Sequence, residues 1–572
     1  MNLRTGFRLL AAAAACLFVT SCSSYKPVSK KGDALAQGWS YAESKEFWFT
    51  SQGSMLVPYA WFLNLEQPGS QTKFRDDVNM DRLRFLPAEQ DGQWNPDALP
   101  IGFTKEKTRS GNWEMMGLTC AACHTSRIEL NGKTVQVEGG PAMADFETFL
   151  EELVASLEAT ASQNDKFERF AQNVVGEKSG AKADALKTDL QAWTKKLGDR
   201  MRMNKPTHAP GYARVDALGN ILNEVVAQDL GIPENAQAPD APVSYPVIWD
   251  GHAQDYVQWN GSAPNADPGS LLRNAGEVLG VFGTMQFSPR EGRLAKYPVS
   301  SVDIQNLKRI EDLVTKLWSP VWPESFPAID QTKAAAGREL YKANCIGCHA
   351  LVKRDDPDRY IKVHMISSDA LGVDNTLGER FLPRTSKTGS LKGSVIFLDP
   401  AQRFGDVAPS ALILRNAVFG VMIGKNELGL PKLQAPLTGN PEADFERLQN
   451  TIASQKEAFA GLLGTPVQLT KTMYKARPLN GVWSSAPYLH NGSVPSLAEM
   501  LKKPGDRVKQ FYVGSRQYDP KNVGFMPVAS EGGVNYYSYD TTVKGNGNTG
   551  HDKGTSLSDE QKLQLIEYLK TL

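Results

Sequence analysis

Gly337-Arg338-Glu339-Leu340-Tyr341-Lys342-Ala343-Asn344-Cys345-Ile346-Gly347-Cys348-His349 is the stretch from which the rest of the chain can be read. Gly337, Tyr341 and Cys345 recur every four residues, so a helix sets glycine and tyrosine on one stripe leading into a cysteine pair. The pair ends as C-x-x-C-H, and the same form stands upstream as Cys120-Ala121-Ala122-Cys123-His124. Two thiols at this spacing add across the two vinyl groups of one porphyrin, and the adjacent histidine falls beneath the iron as its proximal ligand. A zinc site needs more ligands close by, and a thioredoxin-like pair does not need the histidine. Cys120, Cys123, Cys345 and Cys348 are therefore expected to carry two covalent haem c groups, with His124 and His349 as iron ligands.

The chain has 572 residues, more than one core usually serves. Hydrophobic residues make up 41% and charged residues 22%, a globular composition; 63 basic against 63 acidic side chains give no footprint for nucleic acid. Arg4 and Arg8 precede an apolar run from Leu9 to Val19 that is too short for a mature spanning helix, so residues 1–21 read as an export signal. Its end, Val19-Thr20-Ser21-Cys22, resembles the bacterial lipobox, which implies lipid on Cys22. The reading is an exported lipoprotein of a Gram-negative bacterium, facing the periplasm or held in the outer membrane by its N-terminal lipid. Residues 22–45 would be a polar tether, 46–326 an N-terminal haem c domain and 327–572 a C-terminal one.

The expected fold class is mainly α, with two c-type cytochrome domains, long loop insertions and little β. Phe146, Phe149, Leu150, Leu153 and Leu157 recur at spacings of three and four, predicting a helix; further helices are expected over 184–203 and 213–227. Repeated prolines over 233–246 predict a loop, and alternation around Asn131-Gly132 predicts a hairpin over 127–138. The aromatic strings Phe47-Trp48-Phe49 and Tyr59-Ala60-Trp61-Phe62 read as packing. Ser558 to Gln561 is a capping box before the stripe Leu565, Ile566, Leu569 and Leu572, and Ser496 to Glu499 is another box. The helix leading into Cys345 and this last helix resemble the first and last helices of class I cytochromes c, which implies a close crossing that Gly337 permits. The insertion over 352–543 exceeds what such a domain needs.

Five histidines remain for distal roles: His208, His252, His364, His490 and His551. His551 closes a Gly-rich loop just before the last helix, where class I cytochromes carry their distal ligand; Met526 and His490 are its rivals at the second haem. Residues 477–495, with Arg477, Trp483, His490 and Pro495, resemble the bacterial dihaem cytochrome c peroxidase and MauG superfamily, closest to its RoxA-like branch. Residues 52–87, 117–125 and 257–261 are similar to that branch as well. The resemblance implies a reactive centre at the first haem, binding peroxide or dioxygen, with the second haem as electron reservoir. It points to Trp249 or Trp259 as a bridge between haems, to Trp259, Arg273 and Glu277 as catalytic candidates, and to calcium as a possible further ion. A redox protein or a small-molecule oxidant or substrate would be the partner. RoxA-like oxygenases are expected to have an aromatic residue after the Arg-Asn pair, where this chain has Ala275, a departure that puts rubber cleavage in doubt and leaves the substrate open. The second functional class is a non-catalytic dihaem electron carrier.

Overall fold

The computed structural model describes residues 30, 32–108, 113–265, 269–290, 293–354, 356–396, 399–424 and 472–572. The export signal, Cys22 and most of the first part of the tether lie outside them. Among the described residues no helix is long and apolar enough to cross a membrane.

The helix Gln331–Asn344 is capped by Asp330, whose side chain accepts from the Lys333 N–H. It crosses the last helix, Asp559–Thr571, which starts at a reciprocal capping box between Ser558 and Gln561. The crossing is as close as backbones allow: a Cβ on Gly337 would stand 2.0 Å from the Gln564 carbonyl oxygen. Tyr341 packs edge-on against Tyr568 at 5.3 Å between ring centres, and its hydroxyl donates to the His349 carbonyl at 2.8 Å. The predicted stripe thus ties the helix crossing to the second cysteine motif.

The first half is built around an aromatic core. The helix Phe146–Ser162 buries Phe149, Leu150, Leu153 and Leu157, and Phe149 meets Phe74, Phe85 and Phe103 at 5.7, 4.9 and 5.5 Å between ring centres. The helices Asn164–Val175 and Ala181–Met203 pack beside it; the first of them is absent from the sequence expectations because one extended residue, Gln163, separates it from its predecessor. The helix expected over 213–227 is shorter, Ala217–Asn223, and continues as a π turn, Glu224–Asp229. Phe47, Trp48, Tyr59, Trp61 and Phe62 are buried.

The mainly-α expectation is corrected. Of the described residues 39% are helical and 18% in strands, with two three-stranded sheets and nine two-stranded ribbons among them. Most strands span two to six residues, too short for a period-two signal, and they form where loops double back and satisfy their backbone groups pairwise. The hairpin Thr125–Leu130 with Lys133–Glu138 is one of the few legible in advance, with positive φ at Asn131 and Gly132. The insertion contributes the ribbon His364–Ser367 with Met473–Ala476 and the helix Ser410–Gly424. Ser496 caps its short helix, but the Glu499 carboxylate accepts from the Val508 N–H instead of returning to the cap, so this box is half made.

Candidate functional site

Each C-x-x-C-H motif forms a tight turn in which the histidine N–H donates to the carbonyl of the first cysteine, at 2.9 Å for both His124 and His349. Each imidazole then donates its Nδ1–H to a remote backbone carbonyl, His124 to Pro246 at 2.8 Å and His349 to Arg477 at 2.7 Å. This fixes the tautomer that leaves Nε2 free to ligate. Burial pushes both imidazoles down to about 4, so they are neutral at ordinary pH, as ligands must be. Burial also pushes the Cys120 and Cys123 thiols up to about 12 and Cys345 up to about 11. Thiols so held are poor thiolates, unlike zinc-binding or redox cysteines.

Around the second motif lies a cavity of about 420 Å³, lined by Cys345, Cys348, His349, His551, His490 and Tyr474 among others. The His349 and His551 rings stand 6.3 Å apart between centres. Two metal–nitrogen bonds of about 2.0 Å, plus about 1.2 Å from each ring centre to its nitrogen, require about 6.4 Å, so the pair fits an iron held between them. His551 is aimed by backbone in the left-handed region, φ +50°, after Gly550 at φ +71°. A Cβ on Gly550 would lie 2.3 Å from the Leu371 carbonyl oxygen. The buried Arg507 donates to the carbonyls of Asn548, Gly550 and His551 at 2.7, 2.9 and 3.0 Å, which fastens the Gly-rich loop. Of the rivals, His490 lines the cavity but stacks on Tyr474 at 4.1 Å, while Met526 is 40% exposed and does not line it.

A second cavity, about 100 Å³, adjoins the first motif and gathers Cys120, His124, Trp259, Arg273 and Glu277. Arg273 and Glu277 come from the helix Gly269–Gly280. Arg273 donates to Glu311 and Asn265, both at 2.6 Å; Glu277 accepts from Gln258 Nε2 at 2.8 Å, and burial pushes its carboxyl up. Trp259 lines both cavities and donates its Nε1–H to the Ser244 carbonyl at 2.8 Å; Trp249 lines neither and is buried in the core, bonded to the Asn480 carbonyl. Ala275 is fully buried, in one core cluster with Val278, Leu279 and Val418, and does not line the cavity. Among the described residues His124 has no facing ring like that of His551. His252, Lys475 and Arg477 also line this cavity. The sequence gives no sign of Lys475, since nothing periodic marks a charged residue at a ribbon's end, and it offers Arg477 only as the start of a resembling segment. Among the described residues no group of three or more His, Cys, Asp or Glu side chains is placed to hold a metal ion.

A family model described as RoxA-like, cytochrome c-like matches residues 473–512. The chain is 31% identical to the uncharacterized protein y4iJ of Sinorhizobium fredii (strain NBRC 101917 / NGR234), over 99% of this chain and 98% of the relative. It is 24% identical to the uncharacterized protein y4iM of the same strain, over 63% of this chain and 72% of the relative.

Proposed function

Since the chain belongs to the family of Sinorhizobium fredii y4iJ and carries a RoxA-like cytochrome c-like domain, we propose that it is an exported dihaem c-type oxidoreductase of the cytochrome c peroxidase and MauG superfamily. In this reading His124 would hold a haem that supplies peroxide or dioxygen activation, and His349 with His551 would hold one that supplies electron transfer. The observation that carries it is the contrast between a facing imidazole pair at the second motif and, at the first, a largely apolar cavity into which Arg273, Glu277 and Glu311 are set.

Bound at these two stations, haem would supply one-electron chemistry and, at the first, a metal that accepts a small oxidant. The protein's own part is positional. Cys120, Cys123, Cys345 and Cys348 hold the two groups, and the Pro246 and Arg477 carbonyls orient the ligating imidazoles. His551, fastened by Arg507 and facing His349, would hold the same iron from the other side, an arrangement that favours electron transfer over ligand binding. At the first, Glu277 is the group placed to take or give a proton to a small oxidant, with Gln258 bonded to Oε1 and Arg273 at 3.9 Å. Trp259 lines both cavities, which supports it as the aromatic bridge between the stations.

Cys22 would anchor the protein by lipid at a periplasm-facing membrane, and a redox protein or small oxidant would be its partner. Titration of the purified holoprotein with peroxide and cyanide, followed by absorption and EPR, tests the proposal. One high-spin, ligand-accepting haem is expected in the resting or half-reduced state. Two low-spin haems that ignore both reagents would overturn it and leave the electron carrier.

A further inference from the structure

Lys475 and Arg477 line both cavities. They stand two residues apart where the strand Met473–Ala476 runs out, and the Lys475 N–H donates to the Trp259 carbonyl at 2.9 Å. That bond holds both cations beside the indole that also faces the two cavities.

Their polar partners are neutral. Lys475 Nζ donates to Gln254 Oε1 at 2.7 Å, and Arg477 Nη2 donates to Ser485 Oγ at 3.1 Å. The Arg477 guanidinium lies 5.7 Å from the centre of the Trp259 ring, and its Nη1 is buried with no partner. Arg273, the other cation of the first cavity, is already paired with Glu311 at 2.6 Å. Burial and the like charges of Arg477 and Arg273 pull the Lys475 ammonium down to about 7, with only Asp255 acting the other way. Two adjacent cations in largely apolar walls cost free energy unless anions meet them. Among the described residues the chain provides no carboxylate at ion-pair distance from either. Haem brings its own, as two propionates on each group, and a guanidinium fork suits a carboxylate.

We infer that Lys475 and Arg477 form a single cationic clamp shared by the propionates of both haems. The inference rests on the dihaem reading above. It makes the two irons feel the same fixed charges, so loss of one positive charge favours the ferric form at both.

Spectroelectrochemical titration of the holoprotein and of Arg477→Gln, each shown by mass to carry two haems, tests this. Both midpoint potentials should fall, by about tenfold in each one-electron reduction equilibrium or about 59 mV. Arg477→Lys, which keeps the charge, should restore most of the shift. Lys475→Gln, a smaller excision, reads the same two potentials and decides the case if Arg477→Gln fails to load. A shift at one haem alone overturns the sharing. Two haems present with neither potential moved overturns the clamp. Fewer than two haems in the unmodified protein would instead remove the dihaem reading, so the two failures are told apart.

Discussion

The two C-x-x-C-H stations are built alike on the near side and unlike on the far side. Each histidine bonds back to its first cysteine and locks its Nδ1–H on a distant carbonyl, Pro246 or Arg477. Opposite His349 a glycine-rich loop brings His551 to 6.3 Å between ring centres; the cavity of His124 is instead lined by Arg273, Glu277, Glu311 and His252. One and the same motif therefore sits in two different surroundings, and loops outside the motif make the difference.

The sharpest way to break the comparison is to remove the stations separately. Cys120→Ser with Cys123→Ser, and Cys345→Ser with Cys348→Ser, should each cost one whole haem by intact mass; if either protein keeps two, that motif is not an attachment point. Next, His551→Ala should turn the second haem from low-spin to high-spin in EPR and leave the first unchanged, whereas an unaltered spectrum would reassign the ligand to His490 or Met526. Glu277→Gln keeps the shape but not the acid, and should slow reaction with peroxide in stopped flow by about 10²-fold. An unchanged rate would show that the first cavity works without it. Arg507→Ala deletes a buried fork that fastens three loop carbonyls, at a cost of about 1–3 kcal/mol, and should add a partial high-spin fraction at the second haem only. The smallest effect sought is on packing: Gly337→Ala should lower the urea midpoint by the equivalent of about 1–3 kcal/mol, because its Cβ meets the Gln564 carbonyl. Were the midpoint unmoved, the helix crossing would be looser than drawn.

The elements legible in the sequence are those with a repeating signal. The stripe of Gly337 and Tyr341, the Ser558 capping box and the face of Phe149, Leu153 and Leu157 each announce a helix that forms. The ribbons did not announce themselves, since a strand such as Val243–Ser244 or Gly524–Phe525 is too short to alternate, and this is why a mainly-α reading failed. The site divides the same way. Cysteines and histidines carry their chemistry in their spacing, and Trp259, Arg273 and Glu277 came from family resemblance; the cavity places all three beside His124. Lys475 and Arg507 were invisible because their partners lie far along the chain, and Arg477 entered only as the first residue of a resembling segment, with nothing to show that it faces both cavities.

The locks on the two imidazoles reach across 122 and 128 residues. Such a hydrogen bond can close only after the downstream segment has been translated and brought back, whereas thioether formation needs the cysteine motif open to the attachment machinery. For the dihaem protein proposed above, attachment at either motif would thus come before its histidine is locked in orientation, and the order of the two events would be set by how far along the chain the locking carbonyl lies.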